Sequence, residues 1–241
     1  MSESLYEVTC DARDRLYSSI GEVEPEVITH IINPAFLGGP AWPAMRQAFS
    51  VIHRGSNTIV VSNGLADPFD NVDEENSGFG IEIYAETKEP IEVDISKSDI
   101  FKLVFATAQQ AAHSGQMANL LNQYKIITME LYAEDCGLYE YQTENGMVGI
   151  MIGIEHPDLP GKVDFPGGEV ILATVQILTP SELDYVAQAR AKGRNRLHAS
   201  FKSSGIYHYV TPGRDSLIDG NDSQSGMAKQ PNQKKPWWKL W

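Results

Sequence analysis

Between Ser62 and Glu86 the chain reads SNGLADPFDNVDEENSGFGIEIYAE, two strand-like ends joined by an acidic loop punctuated with glycine. The first end closes the β-branched run NTIVVSNG (57–64), which suits a strand. The second places Phe79, Ile81 and Ile83 on one face and Gly80, Glu82 and Tyr84 on the other, the two-residue period of a half-buried strand. MRQAFSVIHR (45–54) precedes the first end through a GSN turn, so a hairpin with a third strand beside it is expected.

The rest of the chain adds helices around such a sheet. Leu5, Val8, Ala12, Leu16 and Ile20 recur at helical spacing, and Gly21 suits a left-handed cap. VITHIIN (27–33) has strand composition, and AFLGGPAWP (35–43) predicts a rigid, bent loop in which Trp42 wedges into the core or, if exposed, forms a binding hot spot. Ser98 caps a helix carrying Ile100, Leu103, Val104, Thr107 and Ala111, with Gly115 near its end. The stretch 116–136 reads as helix or strand. GMVGIMIGI (146–154) and EVILATVQILT (169–179) read as interior strands joined by a loop over 156–168. Thr179, Pro180 and Glu182 start a last long helix, with a break expected at Gly193. The fold class expected is α+β, a mixed, largely antiparallel sheet flanked by helices.

At 241 residues with 42% hydrophobic residues, a single buried core over 1–218 is expected. The remainder, 219–241, lacks periodicity and predicts a flexible tail, ending in an aromatic segment with Trp237, Trp238 and Trp241 that suits docking on this body or on a second copy. A homodimer would follow from the latter. Nineteen basic against 32 acidic side chains give a formal charge of -13, which repels phosphate backbones and anionic membranes and argues against either as a partner. No run of 18 apolar residues occurs and the first residues are acidic, so a cytoplasmic protein is expected. Cys10 and Cys136 lack CxxC spacing and predict reduced, packed thiols.

No P-loop, GxSxG elbow, HExxH or strand-borne GxGxxG is present, which points away from an enzyme; no catalytic residue, cofactor or metal is expected. The acids Asp67, Asp70, Asp73, Glu74 and Glu75 tempt a calcium reading, but Pro68, Phe69 and Val72 break the alternating ligand order it needs. The six histidines share no spacing that would put two imidazoles on one face. Asp67 and Glu82 allow one catalytic alternative, a hydrolytic carboxylate pair. A cross-strand ion pair to Arg46 or Arg54 explains Glu82 equally well.

The residues Gly64, Leu65 and Asp67, followed by Gly78, Gly80, Glu82 and Ile83, resemble the suppressor of fused family, whose domain has a GL-x-D turn and then a G-x-G-x-E strand. The strand GMVGIMIGI and the strand-helix order of EVILATVQILTPSELDYV are also similar, so the resemblance spans roughly 27–216. It implies a domain that acts by binding protein. The animal family member restrains a transcription factor, and bacterial relatives look like immunity proteins associated with toxins. The animal protein also has a second domain, for which this length leaves no room, so its clamp is not transferred. Carried onto this chain, the resemblance makes Asp67, Asp70 and Glu82 candidates near a partner surface; Tyr84 and Trp42 are further partner-binding candidates, and the resemblance together with the charge of -13 makes a basic toxin the expected partner. The alternative for Asp67 and Glu82 is turn and strand stabilisation.

Overall fold

Ser4 and Glu7 cap each other's backbone amides, with Ser4 N donating to Glu7 at 2.8 Å and Glu7 N to Ser4 Oγ at 3.2 Å, and so start helix α1 (Leu5–Ile20). A computed structural model describes residues 4–218, except 71, 73, 89, 92, 93, 206, 207 and 212. After α1 come the short strands β1 (Glu22–Val23) and β2 (Ile28–Thr29), then β3 (Ala48–Arg54), β4 (Asn57–Asn63) and β5 (Ile81–Thr87). Helices α2 (Asp99–Ser114) and α3 (Met117–Tyr124), strand β6 (Ile127–Tyr132) and the single turn α4 (Ala133–Cys136) follow. The chain continues through β7 (Met147–Ile152), β8 (Lys162–Phe165), β9 (Gly168–Ile177) and α5 (Pro180–Ser204).

The described strands form one sheet in the order β1-β3-β4-β5-β9-β7-β6, with β2 on β3 and β8 on β9. The predicted hairpin is present: β3 and β4 pair antiparallel from Ala48↔Asn63 to Arg54↔Asn57, and β5 adds antiparallel to β4. β5 then pairs parallel with β9, Ile81 opposite Ile171. That parallel contact makes the sheet mixed, because the long crossover carrying α2 and α3 lies between the two strands.

Side-chain parity decides what each face packs against. Phe49, Val60, Ile81, Ile83 and Ile150 meet α2, whose buried residues include Leu103, Val104 and Ala108. On the opposite face Ile52, Ile59, Val61 and Tyr84 meet Tyr17 of α1, and Met151 meets Val186, Leu197 and Phe201 of α5. β5 is therefore buried on both faces rather than half-buried, since helices cover both sides of the sheet.

Other departures have local causes. The 27–33 strand shrinks to two residues because Asn33 caps a 3-10 turn at Pro34–Leu37, accepting from Ala35 N at 2.9 Å. The 156–168 loop contains β8, which extends the edge of β9. The stretch 116–136 is both helix and strand, α3 and then β6. Gly21 ends α1 in extended backbone, φ −179°, not a left-handed one. The capping box at Thr179 and Glu182 starts α5 as expected, but the kink falls at Arg190, φ 53°, and not at Gly193. Cys10 and Cys136 are free thiols.

Candidate functional site

Glu82 sits second in β5, where the preceding turn aims its backbone amides at the carboxylate. Gly64 N and Ala66 N each donate to Glu82 Oε1 at 3.1 Å, and Ser62 Oγ donates to Oε2. Ser62 Oγ in turn accepts from Ile83 N at 2.8 Å, and Tyr17 donates to the Ser62 carbonyl at 2.7 Å. Asp67 closes the turn by pairing with Arg13, which reaches in from α1 and also lies 3.9 Å from Glu82.

All three charged groups are 0–1% exposed. Burial drives the Glu82 carboxyl up to about 7, against the pull of Arg13 and of its hydrogen-bond donors. Burial also works against the Arg13 charge, but Glu82 and Asp67 more than offset it and hold the guanidinium above its usual value. Gly78 completes the turn at φ 53°, where a Cβ would lie 2.7 Å from the Leu65 carbonyl.

This arrangement sorts the residues singled out in the sequence. Asp67, Glu82 and Trp42 are buried, at 0%, 0% and 2%, so they present no surface to a partner; Tyr84, 4% exposed, shows only an edge in a groove lined also by Leu121 and Leu172. Trp42 packs edge-on against Phe49, with ring centroids 5.6 Å apart. Asp70 is exposed, as are Glu74 and Glu75. Asp73, Trp237, Trp238 and Trp241 lie outside the described residues. The hydrolytic pair is overturned: Asp67 and Glu82 are sealed from water and Asp67 is tied up in an ion pair with Arg13, so neither can reach a substrate. Arg13 itself was invisible in the sequence, since it lies among the polar positions of an amphipathic helix. Its i, i+4 spacing with Thr9 and Tyr17, the three buried residues of α1, was the only signal.

A second polar cluster forms near the far end of β5. Glu86, His156 and His208 bring donor atoms within 4.8 Å of one another, the arrangement of a metal site. The hydrogen bonds of His156 oppose that use. Its Nδ1 accepts from the backbone of Asp158 at 3.0 Å and Leu159 at 3.1 Å, which leaves the proton on Nε2, donated to Glu86 at 2.7 Å. Both nitrogens are engaged, and Arg54, 3.5 Å from Glu86, already supplies the positive charge a cation would bring. Burial opposes the Glu86 charge, yet His156, Asn57 and Arg54 together hold its carboxyl below the usual range. His208 is lowered to about 4, chiefly by burial, and so is neutral near pH 7. The cluster pins the 156–159 segment to the sheet.

The surface offers a different feature. Six of the ten large apolar side chains exposed among the described residues lie within 27–45: Val27, Ile31, Ile32, Phe36, Leu37 and Met45. Ile31 is fully exposed, and Phe36 and Leu37 are each 74% exposed. The loop that carries them is built, not slack. Asn33 donates to the Met45 carbonyl, Gly39 N to the Pro34 carbonyl at 2.9 Å, and His30 rests on Phe105 with ring centroids 4.8 Å apart. Met45 holds φ 55°, a strained backbone for a residue with a Cβ.

No helix among the described residues is long and apolar enough to cross a membrane. No protein-family model and no curated protein matches the chain significantly. Among solved structures, a chain of the Sufu-Fu complex matches with a TM-score of 0.59 at 14% identity, covering 94% of this chain and 98% of that one. Drosophila Suppressor of Fused matches with a TM-score of 0.54 at 14% identity over 88% of this chain; the match spans 50% of the Drosophila chain. With the same mixed sheet flanked by helices as these structures, the chain has the suppressor of fused fold.

Proposed function

We propose that this chain is a non-catalytic protein-binding domain that engages its partner through the 27–45 loop. The observation that carries this reading is the exposure of six large apolar side chains on a hydrogen-bonded, strained scaffold. One structural neighbour is described as a protein–protein complex, Sufu with Fu, which agrees with a binding role for the fold. The charge of -13 favours a basic partner, because complementary charge speeds encounter more than it deepens affinity. The finer reading is an immunity protein that masks a basic toxin. Asp70, Glu74 and Glu75, exposed on the turn before β5, would steer such a partner rather than anchor it.

The test is co-purification with the product of the adjacent gene, followed by association kinetics across a salt series. The expected result is a stable complex whose on-rate falls as salt rises. The double variant Ile31→Ser/Phe36→Ser should weaken the complex by at least about thirtyfold, the loss of one apolar hot spot of roughly 2 kcal/mol. A complex indifferent to both substitutions would move the interface off this loop. A partner that is acidic, or bound equally well at high salt, would remove the basic-toxin reading.

A further inference from the structure

A groove of about 730 Å³ lies between α5, the C-terminal end of α3 and the 153–162 segment. Its volume falls within the ~300–1,000 Å³ of small-molecule sites. The floor is apolar, formed by Leu121, Ile126, Ile154, Leu159 and Leu172. Three lysines, Lys125, Lys162 and Lys202, line it against a single carboxylate, Glu155. That balance runs opposite to a chain of charge -13, in which acids outnumber bases 32 to 19.

The lysines are not equivalent. Lys162 pairs with Glu169 at 2.5 Å and Lys202 with Glu155 at 3.1 Å. Among the described residues Lys125 has no carboxylate partner, and its backbone is held at φ 66°, ψ −43°, an unfavourable conformation for a residue with a Cβ. The fold maintains that conformation by close packing. Gly153, itself at φ 90°, lies against the Lys125 carbonyl and Leu121, where a Cβ would come within 2.7 Å of Leu121 Cδ2. Strain of this kind persists where surrounding structure fixes it, and it collects at binding sites. His198 lines the groove beside Lys202, and its Nε2 is buried without a hydrogen-bond partner.

We infer that this groove binds a small amphiphilic acid, an apolar or aromatic body lying on the Leu121, Ile126 and Leu159 floor with its carboxylate held by Lys125 and Lys202. The apolar floor supplies affinity, and the uncompensated lysine charge selects the anion over a neutral molecule of the same shape. None of the residues lining the groove falls within the 27–45 loop.

Titration of the full chain with 4-phenylbutyrate, followed by two-dimensional amide NMR, tests the assignment. Saturable shifts confined to Leu121, Ile126, Gly153, Leu159 and their neighbours are expected. The neutral amide 4-phenylbutyramide should bind at least about tenfold more weakly, and Lys125→Ala/Lys202→Ala should weaken the acid by about tenfold while leaving the amide unchanged. Both lysines are at the surface, and the dispersion of the same spectra reports whether the fold is retained. Leu159→Trp, which fills the groove and keeps the lysines, should abolish binding of both compounds. Equal affinity for acid and amide, an unaltered affinity in the lysine variant, or shifts centred on another surface would overturn the inference. Tighter binding of an acidic peptide than of phenylbutyrate would overturn the small-molecule assignment.

Discussion

The turn before β5 and the loop before β3 invert the usual placement of side chains in opposite senses. In the turn, Arg13, Asp67 and Glu82 are charged or titratable and wholly buried; in the loop, Ile31, Phe36 and Leu37 are apolar and exposed. Both arrangements are unfavourable by themselves, since buried charge must be compensated and exposed apolar surface gains nothing from water. The turn is compensated inside the molecule by ion pairs and backbone donors. The loop has no such compensation within the described chain, and the proposed partner would supply it.

Removing internal compensation should have the largest effect. Arg13→Ala leaves two carboxyl groups buried without their counter-charge and is expected to cost about 3–5 kcal/mol in urea denaturation. A loss below about 1 kcal/mol would mean that the turn relaxes into water and that the contrast with the loop is weaker than drawn.

A smaller effect concerns pH. Glu82 has its carboxyl raised to about 7 in the fold, against about 4.5 when exposed. The folded state therefore binds the extra proton, and the stability this contributes is fully present below about pH 4.5 and is lost as pH rises through about 7. Between those limits the loss attributable to Glu82 is of the order of 3 kcal/mol. Glu82→Gln removes the titration, so the difference in unfolding free energy between wild type and variant should change across this window and stay level above it. A difference that is flat with pH would show that Glu82 stays ionised and that Arg13 and the amide donors outweigh its burial.

Gly78→Ala tests the backbone of the turn without touching its charges. At φ 53° an alanine is strained, and its Cβ would press on the Leu65 carbonyl, so a destabilisation of about 2 kcal/mol is expected from thermal unfolding. The smallest change in stability should come from the loop. Ile31→Ser/Phe36→Ser is expected to alter unfolding free energy by no more than about 0.5 kcal/mol, because these side chains contact mostly solvent. A large loss would show that the loop is structural after all and would dissolve the comparison.

The fold was largely legible in sequence because its periodicities are local. The β-branched runs of 57–64 and 169–179, and the capping signals at Ser98 and at Thr179 with Glu182, each report elements that neighbouring residues specify. The short edge strands β2 and β8 were not legible as such, since two or four residues carry little pattern and owe their pairing to β3 and β9. The site was legible only in part. Asp67 and Glu82 stand out beside the glycines of the turn, but sequence alone left open whether they face a partner or the interior.

That choice depended on α1. The helical spacing of Leu5–Ile20 was determined locally, but which of its faces turns inward was settled by the sheet beneath it, which accepts Thr9, Arg13 and Tyr17. Arg13, 54 positions before Asp67, becomes its ion partner only when α1 crosses the β3–β4–β5 face. The same holds for the exposed loop: its apolar residues were plain in sequence, yet the exposure of Ile31, Phe36 and Leu37 accompanies the Asn33 cap and its tie to Met45, while Trp42 of the same segment packs in the core. Sequence by itself determined the elements, the acidic charge and the glycine-marked turn, because these are set by neighbours in the chain. Which charges are buried, which apolar groups are left outside and which lysines share a groove were decided by tertiary packing, because each depends on residues far apart in the chain meeting across the sheet.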